Sequence, residues 1–389
     1  MFDYSTFLTD TYAIALTAVL FISHVILCLY YGLFHFRVGR WHLKATDSEA
    51  TGSLSKNGCP PVSVVLTAHN DSNWLKENLV YLLEQDYPNF EVVVVDYLSS
   101  DDTPYVLKLL KDYYTHLKVV PFKEDVNLFQ GKKYPLSIGI KSAKNDILLL
   151  ADPDCIPKNM QWLRGMVKGY ERRDTQLVLG YCGVKRNKTL LGALQQYDNL
   201  AYSAHYLGSA LLGRPYTGSG RNLSYRRQFF FRQGGFIRHY SVAAGSDDLF
   251  VYHNATKQNT AVALSADALL TAEPKHSFRQ WHRQRLDRVA TRGWHSLGSR
   301  LTEQMTPLAN IAFYAAAALL LAHGGLPWGM VLLALVLKWA WQIVSLAQPA
   351  KRFDAGMVYL AAPIMEIYFI VANTFLILTP LPSNRKFKK

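Results

Sequence analysis

Apolar residues in this chain gather into two kinds of run: long and nearly unbroken near the ends, short and β-branched through the middle. Residues 13–35, AIALTAVLFISHVILCLYYGLFH, are interrupted only by His24 before the closing His35. At about 1.5 Å per residue, a helix of this length crosses the roughly 30 Å hydrocarbon core of a bilayer. Three more apolar runs, 306–322, 327–347 and 357–379, are separated by HGGLP and QPAKRFDAG. The last carries Pro363 and Glu366, which are costly in lipid unless protein shields them. Between them the pattern changes. VSVVLTA (62–68), EVVVVD (91–96), LKVVPF (117–122) and DILLLAD (146–152) are apolar along their whole length, as strands buried on both faces of a parallel sheet must be. SNWLKENLVYLLEQ between the first two has apolar residues at 75, 79, 82 and 83, with Asp71 or Ser72 as N-cap. TPYVLKLLKDYY opens on Thr103 with proline next, a helix start. This βαβ rhythm predicts an open α/β domain that binds ligands at the carboxyl ends of its strands.

Flanking charges orient the first apolar run. MFDYSTFLTD before it holds no Lys or Arg, whereas Arg37, Arg40 and Lys44 follow it. The positive-inside rule then places the N-terminus outside and the α/β domain in the cytosol, at a bacterial inner membrane. The run is too long for a signal-peptide core and no small-residue cleavage site follows. If all three C-terminal runs crossed, the tail NRKFKK would end outside, so the crossing parity stays open. The predicted organisation is an N-terminal anchor with its basic flank (1–45), an α/β domain (58–274), a basic amphipathic interface helix region (275–304) and C-terminal membrane segments (305–389). Half of the 389 residues are hydrophobic and 18% charged, against about a quarter charged in soluble domains, which excludes a disordered chain and favours membrane contact. The net charge of +13 is concentrated partly in KHSFRQWHRQRLDRVATRGWHSLGSR (275–300). Because that stretch precedes a membrane run, lipid headgroups rather than nucleic acid are its expected polyanion. The four cysteines have neither CxxC nor zinc spacing and read as reduced thiols.

The strand ends carry the chemistry. The first strand runs into Ala68-His69-Asn70-Asp71, the second ends at Asp96, and the fourth ends in Asp152-Pro153-Asp154. Neither GxGxxG nor a P-loop follows the first strand, which argues against a dinucleotide or P-loop fold. Carboxylates at these tips approach a diphosphate through a divalent cation, Mg²⁺ or Mn²⁺.

Taken in order, these segments resemble family 2 glycosyltransferases of GT-A fold, in the membrane-embedded branch that includes cellulose and hyaluronan synthases. VSVVLTAHND, VVVVDYLSSDDT, GKKYPLSIGIKSAKNDILLLADPDC, TGSGRNLSYRR and the SDD at 246–248 are similar to that family's successive motifs. The resemblance implies that Ala68, Asp71 and Asp96 line the nucleotide pocket and that Lys132 helps hold a nucleotide-sugar. It places Asp152 and Asp154 at the ribose and the metal, with Asp154 the more direct ligand. Gly218 and Ser219 would form the acceptor-side loop. Asp248 aligns with the family's general base and Asp247 with the Glu before it, although an Asp here is also an ordinary helix cap. The family's Q-x-x-R-W signature is only partial: Gln284 is present, Asp287 and Arg288 occupy its Arg and Trp positions, and Arg285 or Arg288 would supply the charge. Trp281 or Trp294 would supply the stacking ring. Tyr97 stands where the family has a second Asp.

The expectation is a membrane-bound, inverting, metal-assisted transferase moving sugar from a nucleotide donor, UDP-linked by preference, to a lipid-linked saccharide or growing glycan. Two alternatives accompany it: a polyprenyl-phosphate glycosyltransferase, and an inactive nucleotide-sugar-binding partner of a synthase complex, motivated by Tyr97 and Asp287.

Overall fold

A computed structural model describes residues 10–41, 59–122, 131–323 and 328–378. Within these residues the chain forms two units, one from the segment up to Arg40 together with His295 onward, the other from Trp41 to Trp294. The N-terminal apolar run is α1 (Thr11–Gly39), 29 residues long, with a π-helical turn at Tyr31–His35.

In the second unit β1 (Val62–Ala68), α2 (Ser72–Leu83), β2 (Phe90–Tyr97), α3 (Thr103–Tyr113), β3 (Leu117–Phe122), α4 (Lys133–Ser142) and β4 (Ile147–Leu150) alternate in the expected rhythm. There follow β5 (Cys155–Pro157), α5 (Trp162–Val167), β6 (Leu177–Gly180), β7 (Cys182–Val184) and α6 (Leu190–Leu211). The unit closes with β8 (Leu223–Arg226), α7 (Arg227–Arg232), α8 (Asp248–Asn254), β9 (Thr260–Ala263), β10 (Leu270–Ala272) and α9 (Phe278–Ala290). Seven strands form one sheet in the order β3-β2-β1-β4-β8-β6-β9, and β5-β10-β7 form a second. The β3-β2-β1-β4 half is all parallel, and the Val and Leu residues of its inner strands β1, β2 and β4 are buried, as unbroken apolar runs require. β8 runs antiparallel to both β4 and β6. That reversal brings the start of β8 beside the end of β4, and the site depends on it.

In the first unit α10 (Leu297–His323), α11 (Trp328–Phe353) and α12 (Ala362–Leu378) follow. α1, α10 and α11 are long and apolar enough to cross a membrane, whereas α12 has 17 residues. Asp10 caps α1 through the amides of Tyr12 and Ala13 and meets His323 Nε2 at 2.6 Å. At the other end Arg352 donates to the terminal Gly39 carbonyl at 3.1 and 3.0 Å. Gly39 has to be glycine: a Cβ there would lie 2.2 Å from Gln348 Cβ. Pro363 sits in the first turn of α12, where its missing N–H costs nothing. Glu366 is shielded by protein. It pairs with buried Lys338 of α11 and accepts from Tyr31 at 2.5 Å and Tyr314 at 3.0 Å.

The basic stretch 275–300 is not one helix. α9 ends at Ala290, a 3₁₀ turn occupies Arg292–Trp294, and α10 begins at Leu297.

Candidate active site

The loops after β1 and β2 lock onto each other. Asn70 has the left-handed backbone (φ 57°) that short Asx side chains tolerate, and its Oδ1 accepts the amides of Ser100 (2.8 Å) and Asp101 (3.3 Å). His69 Nδ1 bonds the Tyr97 carbonyl at 2.7 Å. Asp71 occupies the N-cap position of α2 but makes no capping bond. It turns back to the His69 amide (2.9 Å), and Asp101 from the neighbouring loop takes the Ser72 amide instead. Burial raises the Asp71 carboxyl, and the charges of Asp152 and Asp154 push the same way. Ala68 and Asp96 are register partners on β1 and β2. Asp96 is 4% exposed, and among the described residues no donor reaches its Oδ1. A buried carboxylate oxygen without a partner is expensive, so this position is suited to a ligand's hydroxyl or N–H.

Register explains the next cluster. Leu150 of β4 pairs antiparallel with Leu223 of β8, so two residues beyond β4 and two before β8 Asp152 faces Arg221. The guanidinium Nε lies 3.5 Å from Asp152 Oδ2, and Nη2 lies 2.9 Å from Asp154 Oδ2. Similarly, Cys155 of β5 pairs with Ala272 of β10, and the Glu273 amide donates to the Asp154 carbonyl. Two residues further on, Lys275 Nζ reaches Asp154 Oδ2 at 3.1 Å. From the N-terminus of α4, Lys132 Nζ donates to Asp152 Oδ1 at 2.8 Å. Burial alone would raise Asp152, but Lys132 and Arg221 hold it well below the usual carboxylate range. Burial would lower the Lys132 ammonium, but Asp152 first and Asp247 second raise it.

Asp247 precedes α8 and accepts the Gly220 amide at 2.6 Å. A Cβ at Gly220 would meet that carboxylate at 3.0 Å, so the Gly218-Ser219-Gly220 loop admits Asp247 by lacking side-chain bulk. Asp248 opens α8, half-buried. The segment before it rests on α4: Lys133, 2% exposed, donates to the carbonyls of His239 (2.5 Å) and Val242 (2.7 Å). Gly131 (φ 101°) lies against Ala243, whose oxygen would be 2.2 Å from any Cβ.

Gln284 and Arg285 lie on α9, where Arg285 is buried over Trp281 and meets Asp198 of α6 at 3.5 Å. Arg288 joins the same aspartate at 3.0 Å and covers the Tyr202 ring. Tyr202 in turn reaches the Thr217 hydroxyl at 3.3 Å, and the nearby Asp248 charge adds to the burial that raises its phenol. α6 therefore ties the partial Q-x-x-R-W segment to the Gly218 loop.

Sequence reasoning did not single out Arg221, Lys275, Tyr202 or Asp198. Arg221 was visible inside TGSGRN, but only the strand reversal shows what it faces. Lys275 heads the basic stretch assigned to lipid headgroups, yet its ammonium is on Asp154. Among the described residues no three His, Cys, Asp or Glu side chains converge on a metal position. Asp152 and Asp154 offer two hard carboxylates, a donor set that suits Mg²⁺ or Mn²⁺ only when a diphosphate and water complete the shell.

Residues 63–242 match the family described as Glycosyl transferase family 2. A Synechocystis sp. beta-monoglucosyldiacylglycerol synthase is 32% identical over 125 residues, 30% of this chain and 26% of that protein. The poly-beta-1,6-N-acetyl-D-glucosamine synthase of Staphylococcus epidermidis is 25% identical over 155 residues, 36% of each chain. The matches span about a quarter to a third of the length of the curated relatives. Among solved structures, the Pyrobaculum calidifontis mannosyltransferase PcManGT, in complex with GDP-Man and Mn²⁺, aligns with TM-score 0.51 at 21% identity, covering 90% of this chain and 99% of that one. That likeness establishes a shared GT-A fold.

Proposed function

We propose that this chain, which carries a family 2 glycosyltransferase domain at residues 63–242, is a membrane-bound inverting transferase that moves a hexose from a nucleotide-sugar to a lipid-linked saccharide or growing glycan. The observation that supports the reading is the adjacent pair Gly220 and Arg221: the Gly220 amide donates to Asp247 at 2.6 Å, and the Arg221 guanidinium meets Asp152 and Asp154 at 3.5 and 2.9 Å. An inverting transfer needs a leaving-group site and a base on opposite sides of one sugar, within a few ångströms.

On this reading Ala68, Asp71 and the unpartnered Asp96 receive base and ribose. Asp152 and Asp154 hold a divalent cation with the diphosphate, and the cation when bound neutralises the departing phosphates. The acceptor hydroxyl lies over the Gly218–Ser219 loop. Its oxygen attacks the anomeric carbon opposite the diphosphate, the carbon–phosphate oxygen bond breaks, and the proton passes to Asp248. Asp247, fixed by the Gly220 amide, orients that base. Gln284 and Arg285 border the acceptor side through the α6–α9 contacts. Three apolar helices support a membrane location, and the basic flank after α1 supports a cytosolic domain. Two curated relatives whose names state a glycolipid and a glycan product support acceptors of that class.

The test supplies labelled UDP- and GDP-sugars with Mn²⁺ to membranes containing the protein, then separates lipid-extractable from polymeric product. A β-linked product from an α-linked donor, lost in Asp248→Asn, supports the proposal. An α-linked product would contradict inversion, and label retained in Asp248→Asn would remove that residue as base.

A further inference from the structure

Three cations stand on two carboxylates at the strand ends: Lys132 on Asp152, Arg221 on both, and Lys275 on Asp154. Arg221 and Lys275 converge on the same oxygen, Asp154 Oδ2, at 2.9 and 3.1 Å. Asp154 Oδ2 therefore carries two cations where one would satisfy it. Neither of the two residues on Asp154 is loosely held. Arg221 has only 17% of its side chain exposed and is fixed by the β4–β8 register. Lys275 is held through its backbone by Gln195 of α6, 4% exposed, which donates to the Lys275 carbonyl at 2.9 Å and accepts its amide at 2.7 Å. A buried amide spanning both polar groups of one residue fixes where that residue's side chain starts, and here it starts beside Asp154. The next residue, His276, stacks on Trp74 of α2 at 6.1 Å with rings 6° from parallel.

We infer that Arg221 and Lys275 are direct ligands of the donor's diphosphate, stored on Asp154 until it arrives, and that Gln195 is the residue that positions Lys275. This rests on the nucleotide-sugar reading above and adds to it. A diphosphate brings two to three negative charges to a point where two cations already converge on one carboxylate oxygen. Asp154 would hold the cation through the oxygen that both side chains now share, which would leave Arg221 and Lys275 free to turn to phosphate oxygens. Charge-assisted bonds from a guanidinium and an ammonium are the strong ones for phosphate, and both then face the bond that breaks. The sugar–phosphate bond gives its electron pair to the diphosphate, and these two groups receive the negative charge. It follows that nucleoside diphosphates bind measurably without any metal, and that the metal adds to an affinity already present.

The test is calorimetric binding of UDP and GDP to the detergent-purified full chain in EDTA, and again in Mn²⁺, with uridine and guanosine as uncharged controls. The wild type should bind one diphosphate in EDTA, more weakly as salt rises. Lys275→Met and Arg221→Met should each weaken it about tenfold or more, Lys275→Arg should restore most of the loss, and nucleoside binding should not change. Gln195→Leu should weaken diphosphate binding less than Lys275→Met while leaving nucleoside binding intact, as a positioning role requires. Unchanged EDTA affinity in Lys275→Met and Arg221→Met, in variants that still bind the nucleoside, overturns the inference while the transferase reading stands. A wild type that binds neither diphosphate with or without Mn²⁺ overturns both.

Discussion

Gly131→Ala is the most informative single-atom perturbation, because it acts from outside on the segment that leads to Asp247 and Asp248, the pair proposed to supply the base. Gly131 has φ 101° and a neighbouring carbonyl, that of Ala243, only 2.2 Å from where a Cβ would sit. Alanine in a left-handed conformation costs about 1–2 kcal/mol, and the carbonyl must retreat by about 1 Å to reach ordinary contact. That retreat moves the segment whose His239 and Val242 carbonyls accept the buried Lys133 ammonium at 2.5 and 2.7 Å. Below pH 7, where Lys133 is charged, losing bonds to it costs about 1.5–3 kcal/mol each. The total of roughly 4–8 kcal/mol rivals the stability of a whole domain, so the segment is expected to peel away before the sheet unfolds. Asp247 and Asp248 follow Ala243 by four and five residues, and their geometry should go with it. The assay pairs nucleotide release with thermal melting in detergent, using Gly293→Ala as control because its Cβ meets nothing within 4 Å. The expected result is a kcat/KM more than about a hundredfold lower in Gly131→Ala, a melting midpoint several degrees lower, and no change in the control. Wild-type turnover and melting in Gly131→Ala would refute the claim that this segment is seated on α4.

Three further outcomes follow from the same geometry. Burial pushes the Lys133 ammonium down to about 7, against the pull of Asp247 and Asp248. Between pH 7 and its ordinary value of 10.5 the unfolded chain therefore binds more protons, and the stability this residue contributes rises with pH by up to about 1.4 kcal/mol per unit. Melting midpoints should show the wild type gaining on Lys133→Met from pH 7 to 9, and a constant gap would contradict the burial of a charged amine. Gly220→Ala should push Asp247 off its 2.6 Å amide bond and lower kcat about ten- to a hundredfold with little effect on donor KM; a pure KM effect would place Asp247 on the donor instead. Asp96→Asn should do the converse, raising donor KM about tenfold with kcat nearly kept, and an unchanged KM would remove Asp96 from the nucleotide pocket.

The β-branched runs at 62–68, 91–96, 117–122 and 146–152 made the parallel half of the sheet legible, because strands buried on both faces leave an unbroken apolar signature. α1, α10 and α11 were legible for the same reason, although α10 starts nine residues earlier than its apolar run because Leu297–Met305 continues the helix without being apolar. The strand-end carboxylates could be read because each directly follows such a run. Arg221 and Lys275 could not. Each acts through an antiparallel register, β4 with β8 and β5 with β10, joining segments about seventy or more residues apart in sequence. Local pattern carries no information about that register, and β5 and β10 are only three residues long. The same limit hid Asp198, a lone acid in LLGALQQYDNLAYSAHYLGSAL that collects two arginines from α9. The N-cap of α2 shows a subtler failure. Asp71 stands at the right position, yet its carboxylate turns back to the His69 amide, and Asp101 from the β2 loop serves the helix instead.

The most direct test of the central claim is nucleotide release from a panel of UDP- and GDP-sugars by the detergent-purified chain with Mn²⁺ or Mg²⁺, beside Asp154→Asn and Asp248→Asn. Turnover of one donor is expected, abolished in both variants, with donor binding retained in Asp248→Asn, the proposed base on the acceptor side. Full turnover in Asp154→Asn, or donor binding without release even when membrane extract supplies acceptors, would contradict it.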